Sequence, residues 1–249
     1  APLERNKAQQ VTGLLLGLFE ASDPMEDPRG STIPARELLD RGAETVEVQL
    51  AGQPALLAES WTVIGKIYSN LGLYPQAERM LEGAVATART GDHPEELASG
   101  LHELGALAGA RGELPRAQAA LEEALALRSR TLGEHAPETV ATRAELAVVL
   151  VYQGRLADAE RLLRQVLAER LATDGPEHAE VAMTRHNLGA LLTRQGKPAE
   201  AEQHLRLALE CRRRIFAEPH PTISANLSVL ASALRAQGKR EQAVALYRE

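Results

Sequence analysis

The residues that could do chemistry are spread along this chain and are not gathered in one motif. Four histidines, each beside an acidic residue or a proline, recur between helical stretches: His93, His135, His178 and His220. Zinc needs its ligands within about 2 Å of one ion. The chain has no CxxC or HExxH motif that would bring such ligands together. We therefore expect these histidines to shape the joints between helices and not to bind a metal.

The other nucleophiles and bases are isolated as well. Three further histidines lie on predicted helices without a paired nucleophile: His102, His186 and His204. Cys211 is the only cysteine and has no evident helix N-terminus beside it that would activate the thiol. The acidic pairs Glu95-Glu96 and Glu122-Glu123 suit the first turn or the solvated face of a helix. The sequence therefore predicts a chain that is not an enzyme and has no cofactor.

The charge distribution argues against a nucleic-acid partner. The net charge is −6 and the pI about 5.7, with acidic and basic residues interleaved along the chain. A nucleic-acid surface needs a basic face that displaces counterions. The one basic run, Arg212-Arg213-Arg214, is interpreted as the solvated end of a helix, where cations interact well with the helix dipole.

No stretch of the sequence is expected to enter a membrane. The longest apolar run, Val11–Phe19, is shorter than the roughly 20 residues that span a bilayer. Its apolar stripe suits packing on the next helix, and a membrane or dimer contact is the alternative. A single cysteine excludes an intrachain disulfide and leaves the compartment open, cytoplasmic or extracytoplasmic.

Composition and period together predict an all-α solenoid. Hydrophobic residues make up 44% of the chain but aromatic residues only 3%, so the core consists of Ala, Leu and Val in closely spaced helices. Runs rich in β-branched and aromatic residues, typical of strands, are absent from the sequence. Five turn glycines recur at spacings of 40, 42, 42 and 42 residues: Gly72, Gly112, Gly154, Gly196 and Gly238. A fixed period in this range indicates stacked helix pairs.

The repeats share one pattern of side-chain sizes. With each turn glycine counted as position 15, the first copy has Trp61 at position 4, Gly65 at position 8, Tyr68 at position 11 and Ala77 at position 20. This pattern resembles the tetratricopeptide repeat, which implies a right-handed superhelix of antiparallel helix pairs, here named helix A and helix B. Positions 8 and 20 are Gly or Ala in all five copies, so we expect helices A and B to cross there at close range.

The period of 42 exceeds the usual 34 residues of this repeat. The additional residues fall at the end of helix B and in the joint that follows, where a histidine stands beside an acidic residue or proline. This longer form is similar to the repeats of kinesin light chains and their bacterial relatives. The predicted segments are a helix at 1–20, a turn-rich break with one more helix at 21–54, repeats at 55–97, 98–139, 140–181 and 182–223, and a partial repeat at 224–249.

The region before and within the first repeat resembles a second family. Residues 12–85 are similar to a segment that follows the kinase domain in bacterial eukaryotic-like serine/threonine protein kinases. The matching residues are Leu18, Phe19, Ser22–Pro24, Arg29-Gly30, Ala35–Glu37, Leu39–Gly42, Gln53-Pro54 and Leu71–Tyr74. The resemblance implies that the chain is a piece of such a kinase, although the glycine-rich loop, HRD and DFG motifs are absent from it.

The tetratricopeptide resemblance also implies where a ligand would bind. In that fold, positions 2, 5, 9, 12 and 13 of helix A face the inner groove. On these and adjacent positions we expect a peptide-binding surface formed by Lys66, Asn70, His102, Val148, Tyr152, Met183, His186, Asn187, Arg194 and Arg235. Such a surface, small and apolar with cations toward its ends, suits a peptide with an apolar centre and some acidic character.

Three functions remain open from the sequence. The favoured one is a non-catalytic protein- or peptide-binding scaffold that serves as the sensor or interaction region of a kinase. The alternatives are a self-association module and a stand-alone adaptor or regulator unrelated to a kinase.

Overall fold

The computed structural model describes residues 35–217 and 219–247, and every regular element in that part of the chain is an α-helix. Two compact units divide it, with the boundary between Thr131 and Leu132. The first unit contains α1 (Ala35–Gln49), α2 (Pro54–Asn70), α3 (Tyr74–Thr90), α4 (Pro94–Ala110) and α5 (Leu114–Thr131). The second contains α6 (Pro137–Tyr152), α7 (Leu156–Thr173), α8 (Ala179–Arg194), α9 (Pro198–Ile215), α10 (Pro221–Ala236) and α11 (Arg240–Leu246).

Helices A and B alternate along each unit. Helices α2, α4, α6, α8 and α10 are the A helices of successive repeats, and the helix after each is its B helix. Neighbouring A helices also touch, α2 with α4 in the first unit and α8 with both α6 and α10 in the second. The all-α class and the stacked helix pairs predicted from the period are confirmed. No described helix is both long and apolar enough to cross a lipid bilayer.

Helix α1 packs on the start of the repeats. The buried ring of Tyr68 donates its hydroxyl to Oδ1 of Asp40 at 2.5 Å, and burial, followed by this contact, raises the pKa of the phenol. Val46 and Leu50 of the same segment belong to the hydrophobic core of the first unit. The helix expected at 1–20, with its apolar stripe, lies outside the described residues.

The turn between helices A and B requires a glycine. All five turn glycines have φ between 72° and 80°, a left-handed conformation that other residues adopt at a cost. At the turn after α8, the amide of Gly196 donates to the carbonyl of Thr193 and the amide of Lys197 to that of Leu192. These two hydrogen bonds form a Schellman motif, which satisfies the last carbonyls of helix A and reverses the chain.

The crossing of helices A and B is as close as the sequence predicts. A Cβ atom added at Gly189 would lie 2.5 Å from Cγ of Leu205, well inside van der Waals contact. Gly65 faces Leu81 and Gly105 faces Leu121 in the same way, each at 2.7 Å. The nearest neighbour of position 8 is thus the leucine at position 24. Position 20 contributes mainly its backbone, as the carbonyl of Ala77 lies 3.3 Å from the same point at Gly65.

The first period is two residues shorter than the others because its B helix and joint are together three residues shorter, whereas the A helix that follows, α4, is one residue longer than the later A helices. The first B helix, α3, has 17 residues and is followed by a joint of three, Gly91 to His93. Helices α5, α7 and α9 have 18 residues each, and five-residue joints follow them. The additional residues of the long period therefore lie where the sequence places them, at the end of helix B and in the joint.

A buried arginine lies near the end of each B helix that precedes a long joint. Position 31, at the end of helix B, is Arg128, Arg170 or Arg212, and each is less than a tenth exposed. The guanidinium of Arg170 donates to Oγ1 of Thr184 at 2.7 Å and to the carbonyl of Glu180 at 3.2 Å, both in the next A helix. Arg212 likewise donates to the carbonyl of Thr222 at 2.7 Å. The interpretation of Arg212 as part of a solvated helix end is therefore wrong.

The short joint has no such arginine. Position 31 of the first repeat is Ala88, which is fully buried, and position 3 of the following helix is Gly100 instead of a polar residue. A Cβ atom at Gly100 would lie 3.1 Å from Cγ2 of Val85, so the two helices pack closely here. A guanidinium would not fit between them, and the loss of two joint residues accompanies this closer packing.

A second polar row links consecutive repeats near the turn glycines. The side-chain amide of Gln195 donates to the carbonyl of Leu156 at 3.2 Å, and that of Gln237 donates to the carbonyl of Pro198 at 2.9 Å. Beside Gln195, Lys197 lies 3.0 Å from Glu160. Hydrogen bonds from Arg164, then Lys197 and Gln195, lower the pKa of Glu160 to about 2. Helices α8 and α10 are thus each held to the preceding B helix at both of their ends.

The buried arginine can be tested against an exposed one two residues away. Replacing Arg212 with Met should lower the free energy of unfolding by about 1–3 kcal/mol, because it removes charge-assisted hydrogen bonds from buried carbonyl and amide groups. Arg214→Met is the matched control, since Arg214 is exposed and pairs with Glu210 at 2.6 Å. We expect a loss below about 1 kcal/mol for it. Urea unfolding followed by circular dichroism measures both, and equal losses would contradict the assignment.

Candidate functional site

The expected groove residues lie on the A helices and are distributed over both units. Lys66, Asn70 and His102 belong to α2 and α4 of the first unit. The other seven belong to α6, α8 and α10 of the second: Val148, Tyr152, Met183, His186, Asn187, Arg194 and Arg235. Thr62, at position 5 of the same helix face, is buried and donates to the carbonyl of Ala58 at 2.8 Å, so this position is not accessible in the first repeat.

The three residues of the first unit differ in how accessible they are. Asn70 is exposed at the end of α2. Lys66 is exposed too, but its ammonium lies 2.6 Å from Glu103 of the neighbouring A helix, so its charge is already paired. His102 is half-buried, and its Nδ1 atom is buried without a hydrogen-bond partner among the described residues. Burial, with the nearby cations Arg128 and Lys66, lowers the pKa of His102 to about 4.

The second unit presents apolar and cationic side chains on its A helices. Tyr152 at the end of α6 is 65% exposed, and Met183 in the first half of α8 is 41% exposed. Arg194 and Arg235, at the ends of α8 and α10, are exposed. Neither has an ionic partner within the described part of the chain, unlike Lys66. Val148 and Asn187 are half-buried between these groups.

His186 belongs to a buried polar cluster that also includes residues of α9 and α10. Its Nδ1 atom lies 3.1 Å from Oδ1 of Asn226, which also accepts from Arg212 at 3.4 Å. Asn226 donates its own amide to the carbonyl of Leu205 at 2.8 Å. Because Oδ1 only accepts, Nδ1 of His186 carries the proton and Nε2 is left as an acceptor. Burial and the charge of Arg212 lower the pKa of His186, whereas its hydrogen bond to Asn226 acts in the opposite direction.

Two of the joint histidines cap helices. Nδ1 of His178 accepts from the amide of Glu180 at the start of α8, and Nδ1 of His220 accepts from the amide of Thr222 at the start of α10, both at 3.3 Å. Each thereby satisfies an amide that has no partner within the helix. His220 also stacks on Phe216, with ring centroids 4.1 Å apart. Across residues 35–217 and 219–247, no three His, Cys, Asp or Glu side chains are grouped to hold a metal ion.

An open pocket of about 760 Å³ lies within the second unit, where α6 and α8 begin and α7 ends. Its walls include the aliphatic groups of Pro137, Val140, Ala141, Ala168 and Ala172. Its polar lining comprises Glu138, Glu169, Arg170, Asp174, Glu180, His135 and His178, together with Thr173. Arg170 and Glu180 pair across it at 2.6 Å. Ala141 is at position 2 of its A helix, so the pocket adjoins one end of the expected groove.

Sequence reasoning missed both the buried arginines and this pocket. The arginines could have been found, because Arg128, Arg170 and Arg212 occupy one column of the repeat alignment and recur every 42 residues. The pocket has no comparable signal, since its lining comes from the ends of three helices and the joints between them.

The family is decided by a comparison with known repeats. The tetratricopeptide repeat family matches residues 96–172, 167–214 and 180–249, which together cover more than half of the chain. A second description of the same repeat matches residues 58–90. The chain belongs to the tetratricopeptide repeat family. No curated protein sequence matches it.

Several solved structures share this fold. The chain is similar to BtubC (BKLC) from P. vanneervenii, with 20% identity over 84% of this chain and 85% of that one and a TM-score of 0.72. It is also similar to a putative kinesin light chain of Podosopora anserina with TPR-like repeats, with 28% identity over 79% and 93% of the two chains and a TM-score of 0.65. A third is YrrB, described as a TPR protein with an unusual peptide-binding site, with 15% identity, coverage of 82% and 89%, and a TM-score of 0.52. The similarity to kinesin-light-chain repeats confirms that part of the expected resemblance.

His102 should make the stability of the tetratricopeptide array depend on pH in mild acid. Its pKa is about 4 in the folded chain and the ordinary 6.5 when unfolded, so the unfolded state binds the proton first as the pH falls. The stabilisation is complete above pH 6.5 and is lost between pH 6.5 and 4. The slope of unfolding free energy against pH is proportional to the number of protons taken up on unfolding. His102→Gln removes up to one such proton, so its slope in this window should be smaller by up to about 1.4 kcal/mol per pH unit.

Urea unfolding at several pH values measures this slope. An NMR titration of the wild-type chain reports the same group directly through the ring proton of His102. A midpoint for His102 near its ordinary value, or an unchanged slope in His102→Gln, would contradict the assignment.

Proposed function

We propose that this chain is a non-catalytic scaffold that binds a peptide or an extended protein segment along the exposed faces of its A helices. The observation that carries the proposal is the set of accessible groups on adjacent helices of the second unit. Tyr152 and Met183 are exposed apolar side chains, and Arg194 and Arg235 are exposed cations without an ionic partner in the described residues. Family membership and the peptide-binding site named for YrrB support the same role.

The groups on this face indicate the chemistry of the ligand. Tyrosine and methionine adapt to varied apolar side chains, and tyrosine is enriched in the centres of binding surfaces. An unpaired guanidinium binds a carboxylate through two parallel hydrogen bonds. The ligand that fits best is a peptide with one or two apolar residues near Tyr152 and an acidic residue or C-terminal carboxylate at Arg194 or Arg235.

Panning a random peptide library against the immobilised chain tests this function. Enriched peptides should carry acidic and apolar residues. They should lose at least about tenfold in affinity for the double variant Tyr152→Ala with Arg194→Ala, which removes more than about 1.4 kcal/mol of binding energy. Isothermal titration calorimetry with the synthesised peptides gives the two affinities.

A double variant on B helices provides the matched control. Leu207→Ala with Arg161→Ala removes one exposed apolar side chain and one exposed cation from α9 and α7. The selected peptides should bind it as they bind the wild-type chain. If they bind both double variants equally, the A-helix face is not the binding surface, and the absence of any enriched peptide would also contradict the proposal.

The kind of parent protein to which this chain belongs is a finer part of the proposal. The resemblance of residues 12–85 to the segment after bacterial kinase domains favours a role as the interaction region of such a kinase, on either side of a membrane. This chain has no kinase motif of its own. A kinase domain encoded upstream in the parent gene would support that setting, and a parent without one would leave a stand-alone adaptor.

Self-association is a second candidate, favoured by the exposed apolar residues at the last described helix. Val244 and Tyr247 are about half exposed, and only Ala243 of α11 is buried. A second copy covering this face would remove apolar surface from water. Sedimentation velocity should then show a dimer that dissociates on dilution and is absent in Val244→Glu. A monomer at every concentration would contradict this candidate.

A further inference from the structure

We propose that the pocket between the starts of α6 and α8 and the end of α7 is an anchor site for an arginine side chain of the bound partner. This inference rests on the proposed peptide-binding function and adds a second, oppositely charged contact to it. The pocket, of about 760 Å³, is within the size range of sites that hold small ligands. It can therefore take one long side chain together with its flanking backbone.

The walls of the pocket suit the stem of a long side chain. Ala168 and Ala172 lie one turn apart on α7 and are both exposed, so this wall is low and uncovered. Ala141 and Pro137 of α6 face it across the opening. No Phe, Tyr or Trp is among the lining residues. Three methylene groups of an arginine would replace water against these carbons, while the guanidinium stays near the polar lining.

The polar lining has an excess of negative charge. Four carboxylates, of Glu138, Glu169, Asp174 and Glu180, face one guanidinium, that of Arg170. Two of these carboxylates are partly neutralised, since Glu180 pairs with Arg170 at 2.6 Å and Glu169 pairs with Arg143, outside the lining, at 2.8 Å. The lining itself therefore carries three more carboxylates than guanidinium groups, and Arg143 divides its charge between Glu169 and Glu134, at 2.8 Å each. Asp174 is exposed, lies 3.9 Å from Nδ1 of His178 and is the best placed to receive a new cation.

Arginine fits this lining better than the other candidates. An acidic side chain would be repelled by the surplus carboxylates, and a purely apolar one would leave them partly desolvated without a partner. Lysine has the same charge, but its ammonium is more strongly hydrated and makes no planar, paired contact with a carboxylate. The guanidinium is less hydrated and presents two parallel donors to one carboxylate.

The pocket and the free cation of Arg194 lie at opposite ends of the same helix, α8. Glu180 is near the start of α8 and Arg194 is its last residue. At 1.5 Å per residue, they are about 20 Å apart along the helix. An extended peptide covers that distance with about six residues. The partner segment therefore carries an arginine at one end and a carboxylate about six residues away, which sets its direction along α8.

Capped tripeptides test the pocket without knowledge of the partner. The probes are acetyl-Leu-Arg-Leu-amide and its analogue with citrulline, a neutral side chain of the same shape, added to the isotope-labelled chain during NMR titration. The arginine probe should shift the amide signals of Ala141, Ala168 and Ala172. It should bind at least fivefold more tightly than the citrulline probe, and the difference should shrink at high salt.

Variants on α7 locate the binding site. Ala172→Phe fills the pocket and should weaken the arginine probe at least tenfold, whereas Asp174→Asn should weaken it about threefold. Ala157→Phe, at another exposed alanine of the same helix outside the pocket, is the matched control and should bind the probe like the wild-type chain. Circular dichroism verifies that all three variants keep their helical content.

Each outcome decides the inference. Equal affinity for arginine and citrulline, no shift of the pocket amides, or full binding to Ala172→Phe would overturn it. If the tripeptide fails but library peptides still depend on Tyr152 and Arg194, the proposed function stands and only the anchor site is wrong. If the tripeptide binds in the pocket but no library peptide depends on the A-helix face, the site exists and the proposed function is wrong.

Discussion

The close packing of helices A and B in each repeat determines which side chains the core can contain. At Gly189 a single added carbon would lie 2.5 Å from Leu205, so the backbone of helix A packs directly against a side chain of helix B. Interiors packed at this density leave little room for large rings. This agrees with a core of Ala, Leu and Val and an aromatic content of only 3%.

Contacts between repeats have a different character from contacts within them. Inside a repeat, apolar groups meet. From one repeat to the next in the second unit, Arg170 and Arg212 donate to backbone carbonyls and to Thr184 and Asn226. A buried cation of this kind tolerates only one arrangement of its acceptors, because an unpaired charge in the interior is costly. The same contact places the start of α8 over the end of α7, so the pocket owes its shape to the pairing of Arg170 with Glu180.

The fold could be predicted from the sequence because the repeats present the same evidence five times. The turn glycines, the small residue at position 8 and the site of the additional residues all follow from aligned size patterns. The candidate site was predictable only as a set of positions on helix A. Arg212 was misread because a hydrophobic pattern assigns any charged residue to solvent, and only the carbonyls that surround it in space justify its burial. Whether Lys66 or Arg194 has an ion-pair partner depends on contacts between neighbouring helices, which the order of residues does not reveal.

The polar links between repeats also limit how such an array can change during evolution. A repeat that ends in arginine needs a threonine or asparagine at position 3 of its successor, as Thr184 and Asn226 are, and a joint of five residues. The first repeat, with Ala88, Gly100 and a joint of three, meets neither condition. Duplicating or deleting a repeat would therefore keep the helix pair intact but bring together a position 31 and a position 3 that do not match. A duplicated repeat that ends in arginine avoids this mismatch. The unit that can be duplicated in this chain therefore consists of a repeat together with its joint and the polar contacts across it. The first repeat lacks these contacts, so a copy of it would not fit between later repeats.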